Sequence, residues 1–299
     1  MYIQKRFSLS KIILFESKWV VAILIYCHTV AVWYSYNPNL SISISIPAVL
    51  GTAISLFLGF RTNSAYERWW EARKIWGAVV NDSRTLVRKS LGFIQDSPEQ
   101  SAKDSAKRIA YLQMAWCYAL SKSLRKQDVL ESLDQFLTEQ DLIWLSSQQN
   151  IPNAIIQLIE MELKQCRSRN QLDAYQFVSM DNTLTRLCDS MGMCERIKNT
   201  VFPTQYNFFT VFFIIIFVAI LPFGLLEYLG YFTTLVTLVI GFTFFMIEAI
   251  AVFMQDPFEN RPNDTPMTAI SRTIEINIRQ MLGETELPEA VKPENGVLL

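Results

Sequence analysis

The chain has 299 residues, a formal charge of -1 and 51% hydrophobic residues, with a mean hydropathy of +0.19. A balanced charge without a basic block leaves no footprint for nucleic acid. Five scattered cysteines with no CxxC pair, and His28 as the single histidine, leave too few ligands for a Cys/His zinc site and too few partners for a nucleophile-histidine centre. The cysteines read as isolated buried thiols, and His28, inside an apolar run, as a packed interior residue.

Residues 1–17 carry Lys5, Arg6 and Lys11 among Phe7, Leu9, Ile12 and Phe15. This pattern predicts a short amphipathic helix lying on the membrane surface rather than a cleaved leader. The first span runs from about Trp19 to Tyr36, with Trp and Tyr near both ends as interface anchors. After a short turn at Asn37-Pro38-Asn39-Leu40, the second span reaches from about Ile44 to Phe60. From Gly51 to Trp76 the chain starts as an apolar helix and becomes strongly charged at Arg61. That pattern reads as a helix that crosses the membrane and then projects into the cytosol.

The block from 61 to about 200 is polar, poor in glycine and apolar at helical spacing, as in Ile109, Leu112, Trp116 and Leu120. It predicts four to six helices and no sheet, with boundaries at Ser97-Pro98 and Asn150-Ile151-Pro152. The third span covers about Thr204 to Leu226, with Pro222 and Gly224 read as its closing turn. The fourth covers about Tyr231 to Phe253. From Gln255 to Gly283 the chain is polar and then amphipathic. The charged tail after it is expected to wrap a neighbour or to be disordered.

Both short links between spans lack Lys and Arg, whereas the N-terminus, Arg61, Arg68, Arg73, Arg196, Lys198 and Arg261 lie on the other side. The positive-inside rule then puts both termini and the middle block in the cytosol, in the inner (plasma) membrane. The fold class is an all-α membrane protein with four transmembrane helices and a helical cytosolic domain. Its segments are 1–60 (amphipathic segment and two spans), 61–203 (cytosolic domain), 204–254 (two spans) and 255–299 (cytosolic segment and tail).

Three motifs carry a resemblance. The first is Gly59-Phe60-Arg61 followed by Arg68-Trp69-Trp70-Glu71-Ala72-Arg73 and Trp76-Gly77. The second is Cys194-Glu195-Arg196-Ile197 with Pro203. The third is Leu221-Pro222-Phe223-Gly224 with Asp256-Pro257-Phe258 and Asn263-Asp264. In order and position they resemble the bestrophin family of ion channels in its bacterial branch. The resemblance implies a homopentamer around a central pore, lined by the second span of every subunit. It places three neck residues at Thr52, Leu56 and Phe60, spaced i, i+4 and i+8 near one helix face. A collar of this kind holds water poorly and can gate by dewetting. Thr52 departs from the usual apolar residue, which moves the expected barrier onto Leu56 and Phe60.

Arg68, Trp69 and Trp70 are expected to hold the helix at the membrane-cytosol boundary rather than to touch ions. Eukaryotic members of the family bind calcium after the Asp/Asn-Pro-Phe motif. Here only Glu259 and Asp264 remain as candidates, with Arg261 between them. A hard cation asks for more oxygens, so no cofactor is expected and calcium activation is not. The expected partners are membrane lipid, further copies of the chain and permeant inorganic ions. The resemblance favours chloride or other monovalent anions. The alternatives are a monovalent cation channel of the same fold and a membrane-anchored helical scaffold or sensor. An intramembrane enzyme lacks a nucleophile-base pair or a metal set.

Overall fold

A computed structural model describes residue 1 and residues 17–37 and 41–298. The amphipathic segment expected over 1–17 and the centre of the Pro38 turn lie outside the described residues. By internal contacts the chain forms two units. One comprises Gln4–Trp69 with Val201–Asp256, and the other Met1–Ile3 with Trp70–Thr200 and Pro257–Leu299.

Four helices build the first unit: α1 (Ser17–Tyr36), the opening part of α2 (Ser45–Phe93), α7 (Thr204–Leu229) and α8 (Phe232–Gln255). All four are long and apolar enough to cross a membrane. They join through Ile23, Cys27, Ile54, Leu58, Ile214, Phe217 and Phe245. Trp19 stacks on Phe245 at 4.1 Å between ring centroids, and the Tyr26 hydroxyl donates to the Ala219 carbonyl at 2.6 Å. Gly241 is a close-approach position, because a Cβ there would stand 2.9 Å from Ile23 Cδ1.

Two expectations change here. Pro222 does not close the third span, since α7 continues through it to Leu229 and ends at Gly230, where φ is +51°. A proline inside a helix leaves a carbonyl without its intrahelical donor and loosens the local turn. Nearby, the Ile42 N–H donates to the Phe223 carbonyl at 3.1 Å. Gly224 is needed for the approach of the chain entering α2, because a Cβ on it would meet Pro47 Cγ at 2.8 Å. His28 is exposed on α1 rather than packed inside. The buried stripe of α1 is Ile23, Cys27 and Val30, and His28 stands about 100° round the helix from Cys27.

The second unit contains the rest of α2 with α3 (Ala102–Leu124), α4 (Glu139–Ser146), α5 (Ile151–Ser168), α6 (Ala174–Asn199) and α9 (Met267–Met281). Among the described residues it has no strand beyond an isolated bridge between Glu294 and Val297. Ser101 caps α3 and Asn150 caps α5, with Pro152 in the first turn of α5, where a missing N–H costs nothing. The centre is α3, with Leu112, Met114, Trp116 and Cys117 fully buried beside Trp76, Leu86, Ile159 and Ile274. Burial pushes the Cys117 thiol up to about 12, so it is a packed neutral group. The tail is not wholly free of its own chain. Glu284 accepts from Tyr111 at 2.8 Å and pairs with Arg279 at 2.8 Å, so its first residues dock on α3 and α9.

Asp141 closes a capping box with Thr138 and pairs with Arg108 at 2.6 Å. Although burial opposes ionisation, these bonds together hold its carboxyl below the usual range. A depressed folded value stabilises the fold above the unfolded pKa and loses that stabilisation as pH falls through the folded one. Asp141→Asn should therefore lower stability by about 1 kcal/mol at pH 7. In thermal melts the gap to wild type should close as pH falls well below about 4.

Candidate functional site

The site is one face of α2 and the device that fixes which face it is. A residue on an α-helix turns by about 100° from the one before it. Taking Thr52 as the origin, Leu56, Phe60, Asn63 and Glu67 fall within about 80° of it. Ile54, Leu58, Arg61 and Ala65 fall on the opposite side. The burial follows this division. Ile54, Leu58, Arg61 and Ala65 are buried, whereas Leu56 is 62% and Phe60 63% exposed. Thr52, Asn63 and Glu67 are exposed as well. The three expected neck residues therefore share a face, in a row that no other described part of the chain covers. The Thr52 hydroxyl gives its proton to the Ala48 carbonyl at 2.9 Å. Such back-bonding leaves only its lone pairs for water.

Arg61 is the first charge after the row in sequence, yet it points away from it. Its side chain is fully buried, with Nη1 2.7 Å from Glu248 Oε2 on α8. Nη1 also donates to the Glu248 carbonyl at 3.5 Å. Nη2 donates to Asn207 on α7, and to Gln255 at 3.5 Å. The guanidinium stands 5.7 Å from the centre of the Phe202 ring. A charge inside an apolar bundle persists only when paired and hydrogen-bonded. A guanidinium shared among α2, α7 and α8 therefore fixes the rotation of α2. Sequence reasoning uses Arg61 as a topology marker and as part of the Gly59-Phe60-Arg61 motif, and misses this pair. Its signal was Glu248, a lone carboxylate within the apolar run of the fourth span.

Arg68 and Trp69 are half-buried, and Trp70 is 45% exposed. The Trp69 ring lies 6.0 Å from Tyr66, and the two contact-defined units divide between Trp69 and Trp70. Within the second unit the motif segments are joined by ion pairs, Glu71 with Arg196 at 2.6 Å and Lys198 with Glu259 at 2.6 Å.

The candidate metal ligands are engaged elsewhere. Lys198 holds the Glu259 carboxyl below its usual value. Asp264 is 2% exposed and accepts from the Arg261 N–H at 3.0 Å, which closes its own loop. Burial raises its pKa. One carboxylate bound to a lysine and one turned into a loop are a poor donor set for a hard cation. Among the described residues no group of three or more His, Cys, Asp or Glu could hold a metal ion.

Four apolar helices around a buried ion pair, with a second helical unit, define a multi-span α-helical membrane protein. A family model described as Bacterial/Fungal Bestrophin protein matches residues 7–280, and the chain belongs to that family. It is thus a member of a channel family and not an enzyme. It is 33% identical over 262 residues to the "Voltage-dependent anion channel-forming protein YneE" of Escherichia coli O157:H7, covering 88% of this chain and 84% of that protein. It is 35% identical over 247 residues to the "Voltage-dependent anion channel-forming protein alr2987" of Nostoc, covering 80% and 79%. Its structure is similar to a crystal structure of a bacterial bestrophin homologue from Klebsiella pneumoniae. That match has a TM-score of 0.84 and 30% identity, and covers 89% of this chain and 98% of the other.

Breaking one side of a buried pair leaves an uncompensated charge, at a cost of about 3 to 5 kcal/mol. Arg61→Leu or Glu248→Leu alone should sharply lower the melting temperature in detergent. The double variant should recover most of the loss. A loss in the double equal to the sum of the two single losses would show that the pair has no such coupling.

Proposed function

We propose that the protein is a channel for small monovalent anions such as chloride, formed by five copies of the chain in a closed head-to-tail ring. The observation that carries this reading is the uncovered row Thr52, Leu56 and Phe60 on a membrane helix whose opposite side is fully packed. In a ring each subunit turns the same row to the axis, and rotation closes the assembly without an exposed edge. A cleft of about 630 Å3 between α2 and α8, lined by Ser55, Gly59, Tyr66, Thr243 and Ile247, flanks the row. It offers a concave side for a neighbouring subunit. The names of the Escherichia coli and Nostoc relatives support anions as the cargo.

In this reading Leu56 and Phe60 form the neck, where an ion must shed part of its hydration and where the empty pore dewets. Thr52 forms the outer, more easily wetted ring. Arg68, Trp69 and Trp70 set the depth of α2 at the inner membrane surface. Both termini, the 61–203 domain and the 255–299 segment lie in the cytosol beneath the inner membrane. The absence of Lys and Arg from the short links supports that orientation.

Purified protein in liposomes should give a chloride conductance. Leu56→Ala and Phe60→Ala should raise it by about tenfold for each ~1.4 kcal/mol taken off the barrier. No current from the wild type or either variant would overturn the channel reading.

A further inference from the structure

The charge an ion meets on leaving the neck is the opposite of the one the sequence order suggests. Arg61 follows Phe60 directly, yet its guanidinium is buried against Glu248 on the far side of α2. It presents no charge to the exposed row. The first ionisable side chain on that row is Glu67. It falls in helical phase between Leu56 and Phe60, about 10 Å further along the axis than Phe60. Glu67 is exposed, and its carboxylate accepts a hydrogen bond from a neutral donor, Asn63 Nδ2, at 3.0 Å. Asn63 stands on the same row one turn earlier and orients the carboxylate without cancelling its charge.

Two other carboxylates near this end of the helix differ from it. Glu248 is bound to Arg61 at 2.7 Å and Glu71 to Arg196 at 2.6 Å. Among the described residues no lysine or arginine forms such a pair with Glu67. Arg68, the next residue, is half-buried about 100° round the helix. The Glu67 charge therefore reaches the face that the pore reading turns to the axis.

We propose that Glu67 is a selectivity-determining residue. Resting on the pore reading of α2, it forms a carboxylate ring at the inner end of the neck that attracts monovalent cations and opposes anions. The ring biases ion choice without blocking the path, because its field acts through water and is screened by salt. An apolar neck has no sign preference of its own, so the nearest unpaired charge on the same face weights the two signs of ion. The chloride-to-potassium permeability ratio of the wild type is accordingly lower than it would be without the Glu67 ring.

The test is the reversal potential of reconstituted protein under a KCl gradient. Glu67→Gln should raise the chloride-to-potassium permeability ratio by about fivefold. Glu67→Lys should carry the ratio further the same way, and Glu67→Asp should keep it near the wild-type value. The gap between wild type and Glu67→Gln should widen as salt is lowered from about 0.1 M to 0.01 M, where the screening length grows from about 10 to 30 Å. A role confined to folding would change the amount of assembled protein but not this ratio or its salt dependence. If Leu56→Ala raises conductance while Glu67→Gln and Glu67→Lys keep the wild-type ratio, the inference falls and the pore reading stands. If neither the wild type nor Leu56→Ala carries current, both fall.

Discussion

The constraint on which the site depends is the burial of Arg61 against Glu248. An unpaired guanidinium or carboxylate would not stay in an apolar bundle, so the two must meet. Their meeting, with Asn207 and Gln255 also accepting from the guanidinium, ties α2 to both α7 and α8. The apolar contacts of Ile54 and Leu58 would tolerate a modest rotation of the helix. A multidentate guanidinium tolerates much less. Once Arg61 is fixed inward, the 3.6-residue repeat sends Leu56, Phe60 and Glu67 outward together.

Such a pair is a costly way to gain stability, because desolvation consumes much of its attraction. Its value here is directional. It removes a cation from the exposed row, and the remaining row runs from apolar Leu56 and Phe60 to polar Asn63 and anionic Glu67. A path built on that row has a step from a surface water leaves easily to one it wets well. The position of that step, and the sign of the charge beyond it, follow from a contact on the opposite side of the helix.

Much of the architecture was legible in the sequence because its signals are local. Four apolar runs, proline punctuation at Pro98 and Pro152, and helical spacing around Trp116 each act within one element. The three motif segments were legible as a family resemblance, and the family model covers most of the chain. What escaped depends on tertiary contact. Pro222 read as a stop, yet the helix runs on to Leu229. His28 read as interior because its neighbours in sequence are apolar, whereas burial on α1 is decided by one face. Glu284 sits in a charged tail, and its docking on Tyr111 and Arg279 joins residues far apart in the chain. The partner of Arg61 was hidden for the same reason, since Glu248 lies in a different span.

The central claim is that the face of α2 opposite Arg61 lines a water-filled ion path. Single cysteines at positions 52, 56, 60, 63 and 67, and at 54, 58 and 65, can be exposed to a charged thiol reagent during current recording. The background must give no block from Cys27, Cys117, Cys166, Cys188 and Cys194, of which all but Cys188 are buried. The account predicts irreversible block at the first five positions and none at the other three. Block that ignores this division, or modification at 56 and 60 with no change in current, would contradict it.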